Sequence, residues 1–368
     1  MRNRDGFASD HARHGSPARA VGAAAAWRSA LAAAILAALS ASPALGWSDR
    51  THTLIAQEAV ERLPEPLRGL LSDEGRLKRL QESATAPDLR SKRGLPQYSP
   101  GEKPKHYLDI DAITDEAQPF AKFPRDRAAA EKQFGPEAFT LHGSVPWAAA
   151  GALDALADAM TGGRTDDIFR AAGDLAHYAA DVHMPFHSTK NHDGQLTGNN
   201  GLHRALEIGL VHRYLDSYYR AEIRKDRYDL PLVEDPTGRL FDWLIAACAR
   251  QKPILEAETA ARTKANYNPA QHTDDLDNPE SERAKPYYAA LKQELEARGS
   301  PEAAAMREAS GHVAELLYTA WVRAGKPLAL TPAPPEPAEQ PVSPQLWLAL
   351  LAAGMVLVLL WPRRRPSR

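Results

Sequence analysis

Two histidine–carboxylate pairs, each spaced four residues apart, constrain this chain more than any other feature. His177 and Asp181 lie in an apolar-periodic stretch, 166–183, that runs up to Pro185. His203 and Glu207 open a second such stretch, 202–223. Residues four apart share one face of an α-helix, so each pair presents an imidazole and a carboxylate together without backbone strain. Leu202, Leu206 and Leu210 flank the second pair, which therefore borders an apolar face rather than open water. Pro185 ends the first helix and leaves His187 at the turn, free to point back. His187, His203 and Glu207 then offer two nitrogens and one oxygen, the composition of a catalytic zinc site with an open position.

The rest of the pattern is helical. Stretches 50–63, 234–258, 281–298 and 301–323 show the same period, and strict strand-like alternation is scarce. The region 84–140 is rich in Pro, Lys and Asp and reads as long excursions over a helical body. The expected fold is all-α, one multi-helix domain spanning 47–326. A formal net charge of -2 gives no global basic field for nucleic acid or anionic lipid. The one cysteine, Cys248, excludes an intramolecular disulfide and reads as a small buried hydrophobe. Core packing, metal or both must hold the chain together.

Both tails carry targeting signals. An Arg-containing leader precedes an apolar run, 30–41, and Ala44-Leu45-Gly46 supplies the small residues of a cleavage site. A signal peptide over 1–46 leaves Trp47 as the new N-terminus. At the other end, 327–345 is a Pro-rich linker, and 346–361 is uncharged with Trp347 and Trp361 at its margins. The basic stretch 362–368, with Arg363-Arg364-Arg365, closes the chain. This is the pattern of a transmembrane helix with a cytoplasmic tail, its catalytic domain exported and anchored on the extracytoplasmic side. A sorting signal removed by a protease would carry the same pattern.

Further candidate ligands lie upstream. His52 falls on the inward side of the first helix with Ile55, Ala56 and Ala59, Asp88 follows Ala-Thr-Ala-Pro, and His106 sits in Pro-Lys-His-Tyr-Leu-Asp. Taken in order (Trp47-x4-His52, Asp88, His106, His177-x3-Asp181-x5-His187, His203-x3-Glu207), the set resembles the superfamily that joins bacterial zinc-dependent phospholipases C to secreted single-strand-specific nucleases. The resemblance spans the body, 47–326, and its specific part is 47–207. It implies a trinuclear zinc site. Trp47, through its amine and carbonyl, and His52 would hold one zinc, with Asp181 bridging to a second. The second would take Asp88, His106, His177 and Asp181, and the third His187, His203 and Glu207. The implied reaction is phosphodiester hydrolysis by a metal-activated water, with Asp88 also acting as the catalytic base, as proposed in the phospholipase branch.

The branch is mixed. The short Trp-x4-His spacing and the surroundings of Asp88 and His106 resemble the nucleases, whereas His-x3-Glu resembles the phospholipases. Ala180, Ser188 and Lys190 depart from the family's central signature, and Arg90 does not stand where the nucleases place a phosphate-binding Arg. The expected function is cleavage of phospholipid headgroups, with a single-strand nuclease or 3′-nucleotidase as the alternative. A non-enzymatic metal store fits less well, because structural zinc sites are saturated and the third site has three protein ligands. Tyr98, Phe120, Phe123, Phe134 and Trp147 offer aromatic surface for a headgroup or a base, but core packing is the better reading for each. His142, His183, His192, His212, His272 and His312 read as surface or supporting residues.

Overall fold

The computed structural model describes residues 47–329, apart from 115–119, 121, 226–228, 277, 279 and 280. The expected leader and the C-terminal segment from 330 onward lie outside the described residues. Nine helical segments of twelve or more residues build the described body. They are α1 (Asp49–Glu61), α2 (Arg76–Ser91), α3 (Val145–Thr161), α4 (Thr165–Val182), α5 (202–223), α6 (Pro236–Cys248), α7 (Gln251–Ala265), α8 (Lys285–Glu296) and α9 (Pro301–Arg323). No strand occurs among the described residues, and one isolated antiparallel bridge joins Leu108 to Gly143. No described helix is long and apolar enough to cross a membrane.

α4 is the central element. Of its 18 residues, 13 are buried, and it packs against α1, α2, α3, α6 and α9. A helix covered on nearly every side needs small residues where neighbours come close. Ala171, Ala172, Gly173, Ala176, Ala179 and Ala180 supply them. At Gly173 the approach is closest, since a Cβ there would lie 2.4 Å from the backbone carbon of Ser83 in α2. α2 and α4 thus meet backbone to backbone just before the segments that carry Asp88 and His177.

Departures from the sequence reading have local causes. α2 continues helical through Pro87, which a pattern reading takes as a boundary, so residues 84–91 are helix rather than excursion. α3 falls in an Ala-rich stretch with little polar contrast between its faces, and no helix is delimited there from sequence. The stretch 234–258 is two helices, not one. Pro253 has no N–H and a ring that clashes with a preceding turn, so α6 stops at Cys248 and α7 restarts at Gln251. Pro253 then falls in the first turn of α7, where a missing N–H costs nothing. Within α5, two wide π-type turns, Ala205–Leu210 and Leu215–Tyr219, interrupt the regular helix, and Glu207 lies in the first.

The segment carrying His106 is clamped at several points. Its 3₁₀ turn, Lys103–His106, leads to Leu108, whose N–H donates to the His187 carbonyl at 2.8 Å. The Ser144 N–H donates to the Pro104 carbonyl at 2.7 Å, and Asp109 N–H to the His142 carbonyl at 2.8 Å. Gly143 has φ +95°, and a Cβ there would fall 2.0 Å from the Tyr107 carbonyl oxygen, so only glycine lets the two segments pair.

The Gly173 contact generates a prediction. Gly173→Ala adds helix propensity worth about 1 kcal/mol in an exposed helix. Here the methyl meets backbone, and overpacking of this kind costs roughly 1–3 kcal/mol. Chemical denaturation should show a net loss of stability, and a gain would mean that α2 does not press on α4 at this point.

Candidate metal centre

The structure brings eight of the nine sequence-predicted ligands into one buried cluster around Asp181. This carboxylate is fully buried, and its two oxygens face different partners. Oδ2 lies 3.1 Å from His106 Nδ1 and 3.3 Å from His177 Nε2. Oδ1 lies 3.5 Å from His52 Nε2 and 3.5 Å from His187 Nδ1. The His52 and His177 rings stack with centroids 3.8 Å apart. Asp88, at the end of α2, places Oδ1 3.8 Å from His106 Nδ1 and 3.9 Å from His177 Nε2. Its side chain retains 13% exposure, the most of any carboxylate in the cluster. His203 Nε2 and Glu207 Oε2 are 3.0 Å apart, and His187 Nε2 stands 3.6 Å from Glu207 Oε1.

Three sets of side chains have donor atoms close enough to share an ion: His52, Asp88 and His177; His106, His177 and Asp181; and His187, His203 and Glu207. The last set matches the grouping read from sequence. His52, however, comes together with Asp88 and His177 as well as with Asp181. Trp47 is buried at the head of α1, and its indole Nε1 donates to the Ala180 carbonyl at 3.2 Å, one residue from Asp181.

Backbone acceptors orient the imidazoles. The His177 Nδ1–H donates to the Ala84 carbonyl at 2.7 Å, and the His203 Nδ1–H to the His192 carbonyl at 2.8 Å. A carbonyl can only accept, so Nδ1 carries the proton in both rings and Nε2 is turned into the cluster. Asp193 fixes the start of α5 by accepting from Gly201 N–H at 2.8 Å and from His203 N–H at 3.1 Å.

The donor set fits a metal. Nine buried side-chain atoms here have no hydrogen-bond partner: both ring nitrogens of His52, Asp88 Oδ1, His106 Nε2, Asp181 Oδ1, His187 Nδ1, His203 Nε2 and both oxygens of Glu207. Leaving a buried polar atom unmatched costs about 1–3 kcal/mol, and cations placed among these atoms would satisfy them. Imidazole nitrogens with carboxylate oxygens suit zinc among the divalent ions.

Without metal, the protonation pattern is unusual. Burial opposes a charge on His177, but Asp181 and Asp88 outweigh it and lift the imidazole to about 9. Burial opposes a charge on His203 too, and Glu207 lifts it to about 9. Burial raises Glu207 to about 8 despite His203 beside it. Burial also drives His187 down to about 3. For Asp181, burial disfavours the charge, yet His177 and His187 hold it well below the usual carboxylate range.

The sequence reading passed over Asp193 and Asp109. Asp109 Oδ1 is buried without a partner. Burial and Asp111 raise its carboxyl to about 8 against the opposing pull of His203. Only its closeness to His106 in the chain could have marked it. His183 and His312 are not surface residues. His183 is buried, its Nε2 lies 2.6 Å from His312 Nδ1, and Trp243 stacks on His312. Arg90 is held by Asp174 at 2.7 Å, Glu102 at 3.1 Å and Tyr178 at 3.2 Å. Phe123, Phe134 and Trp147 join Phe139 and Phe241 in an aromatic core. Cys248 is half-buried.

No family model matches the chain, and no curated protein matches it. Among solved structures, the chain is similar to the alpha toxin from Clostridium absonum, with a TM-score of 0.38 and 14% identity over 73% of this chain. The chain spans 63% of that toxin's length. The functional reading rests on the cluster itself.

Its protonation pattern fixes the sign of two pH effects. His177 and His203 are raised, so the stability they give the metal-free fold is complete below 6.5 and is lost as pH rises through about 9. Glu207 is a raised acid, so its contribution also falls, between 4.5 and about 8. Zinc requires these groups deprotonated. Metal-free protein should lose stability between pH 6.5 and 9 while its zinc affinity rises, with protons released on binding. Denaturation and competitive-chelator titrations across that range test both, and affinity that stays flat would exclude these groups as ligands.

Proposed function

We propose that this protein is a zinc-dependent phosphodiester hydrolase of phospholipase C type, related to the superfamily of zinc phospholipases C and single-strand-specific nucleases. It would take three zinc ions per chain on Trp47, His52, Asp88, His106, His177, Asp181, His187, His203 and Glu207. It would act outside the cytoplasm, released from its leader after Gly46 and held to a membrane by 346–361. The observation that supports this most strongly is the placement of Asp181, whose two oxygens face separate groups of histidines. A carboxylate so placed could serve two cations, as the three-zinc reading requires of Asp181.

Zinc, when bound, acidifies water and neutralises charge growing on a phosphoryl group. The chain's own residues supply the rest. His177 and His203, locked by backbone carbonyls, keep their Nε2 lone pairs aimed inward with little reorganisation. Asp88, alone among the carboxylates of the cluster in keeping partial exposure, is placed to take a proton from water that reaches it. His187, His203 and Glu207 would hold an ion with three protein ligand atoms, the composition of a zinc site that can accept a substrate oxygen. Trp47 would add its amine and carbonyl once the leader is cut, so that export completes the site.

Glu207 supports the phospholipase branch. A nuclease or 3′-nucleotidase is the second reading, supported by the short Trp47-x4-His52 spacing. A side-by-side assay decides between them, comparing phosphatidylcholine vesicles with single-stranded DNA, with and without chelator. Chelator-sensitive headgroup release is expected; DNA cleavage alone would move the protein to the nuclease branch. Asp181→Asn should lower both zinc content and rate, by more than the roughly 10–100-fold that follows loss of an outer-sphere partner. Unchanged zinc content would show that Asp181 does not bridge. Protein that retains Gly46 ahead of Trp47 should bind one zinc fewer and lose most activity. Three zincs and full activity in that protein would remove Trp47 from the ligand set.

A further inference from the structure

Outside the metal cluster, one buried carboxylate has no partner. Glu315 lies in α9 and is 4% exposed. It makes no hydrogen bond or ion pair among the described residues, and its Oε2 is buried without a partner. The other buried acids outside the cluster are matched. Glu58 holds Arg224 at 2.7 Å, Asn199 donates to Glu258 at 2.6 Å, and Tyr219 donates to Glu302 at 3.1 Å. Glu102, Glu222 and Asp275 have side-chain partners too. An unmatched buried acceptor is costly, so a group kept in that state is a candidate contact for a ligand.

Glu315 lines a cavity of about 320 Å³. That is the lower end of the range for small-molecule sites, about 300–1,000 Å³. The other walls are the strap 231–235, the first two turns of α6, and Arg125. The strap is fastened to α9. The Val233 N–H donates to Thr319 Oγ1 at 3.0 Å, one turn beyond Glu315, and Arg323 donates to the Val233 carbonyl at 3.3 Å. Two acids of the wall are already engaged. Asp235 Oδ1 caps α6 by accepting from the Gly238 N–H at 2.9 Å, and Asp242 holds Arg125 at 2.7 Å. Glu234 is exposed to water. Arg239 is exposed as well, lies over the Trp243 ring at 5.4 Å and pairs with no carboxylate among the described residues. The cavity therefore offers one sheltered carboxyl and one unpaired guanidinium.

A ligand that is only an anion would set its charge against Glu315. A bare divalent cation would meet Arg239 and a single free inward carboxyl, whereas calcium takes roughly six to eight oxygens. A molecule carrying both charges matches both groups. We propose that this cavity binds a small amphoteric molecule, a primary amine that bears an acid group, with its ammonium on Glu315, its acid group on Arg239 and its carbon chain against Pro231, Leu232 and Val233. An ammonium has three donors to satisfy the carboxyl, and a guanidinium holds an acid group through paired N–H bonds. None of the lining residues is a candidate zinc ligand, so the site stands whether or not the cluster hydrolyses phosphodiesters.

The experiment is calorimetric titration of the full chain, zinc-loaded and again with chelator, using glycine, 4-aminobutanoate and 6-aminohexanoate as probes of increasing span. Saturable binding of at least one probe at a single site is expected, equal with and without zinc. Glu315→Gln and Arg239→Gln should each weaken it by roughly tenfold or more, the loss that follows removal of a charged hydrogen bond. Hexylamine and hexanoate, with one charge each, should bind the unaltered chain more weakly by a similar factor. These two analogues decide the claim even if a variant fails to fold. The proposal is overturned if no probe binds saturably, or if binding survives both substitutions. Binding that vanishes with chelator would place the ligand on the metal cluster instead. Hexylamine or hexanoate binding as tightly as the best amphoteric probe would show that only one of the two charges is read.

Discussion

Asp181 is a carboxylate with no access to water, and a buried charge is tolerated only when partners surround it. Histidines 52, 106, 177 and 187 do so, two on each oxygen. They come from α1, from the 3₁₀ turn before Leu108, from α4 itself and from the turn after Pro185. The packing of all these segments is therefore tied to one side chain. If any of them shifts, a charge or a lone pair is left unmatched in the interior. Cations would satisfy the cluster more fully than the protein's own atoms do, which is the physical reason for reading it as a metal centre.

The scaffold around Asp181 works by close approach. Gly173 lets α4 lie against α2 so that the Ala84 carbonyl reaches the His177 ring, and Gly143 lets the His106 segment pair with the start of α3. Neither glycine touches a candidate ligand, yet each sets the position of one. Arg90, Glu102 and Tyr178 tie α2, the 3₁₀ turn and α4 together from the side. Burial works against the charge on Glu102, but Tyr178 and Arg90 hold its carboxyl down at about 2. Arg90, to which the sequence reading gives no role, is thus a strut.

How much of this was legible depended on the range of the information involved. The pairs His177/Asp181 and His203/Glu207 are local, because helical spacing alone puts each on one face. Pro185 is local as well, and it explains why His187 turns back. α9 could be bounded from its sequence for the same reason, with Pro301 at its first turn. α2 and α3 could not. The first runs through a proline that only tertiary packing makes tolerable, and the second has too little contrast between its faces. His183 and His312 look like ordinary surface histidines until two distant helices bring them within 2.6 Å.

The sequence by itself determined the all-helical class, the two imidazole–carboxylate pairs and the chemical types of the candidate ligands, since spacing and residue identity are local properties of the chain. The tertiary structure alone decided that His52, His106, His177 and His187 converge on a single carboxylate, with His203 and Glu207 joined to them through His187. It also decided that Asp88 keeps partial exposure, and that Asp193 and two backbone carbonyls set the orientation of the imidazoles. Those are contacts between segments as far apart in the chain as His52 and Asp181. Their formation depends on which small residues allow helices to touch, and on where a buried charge has to find its partners.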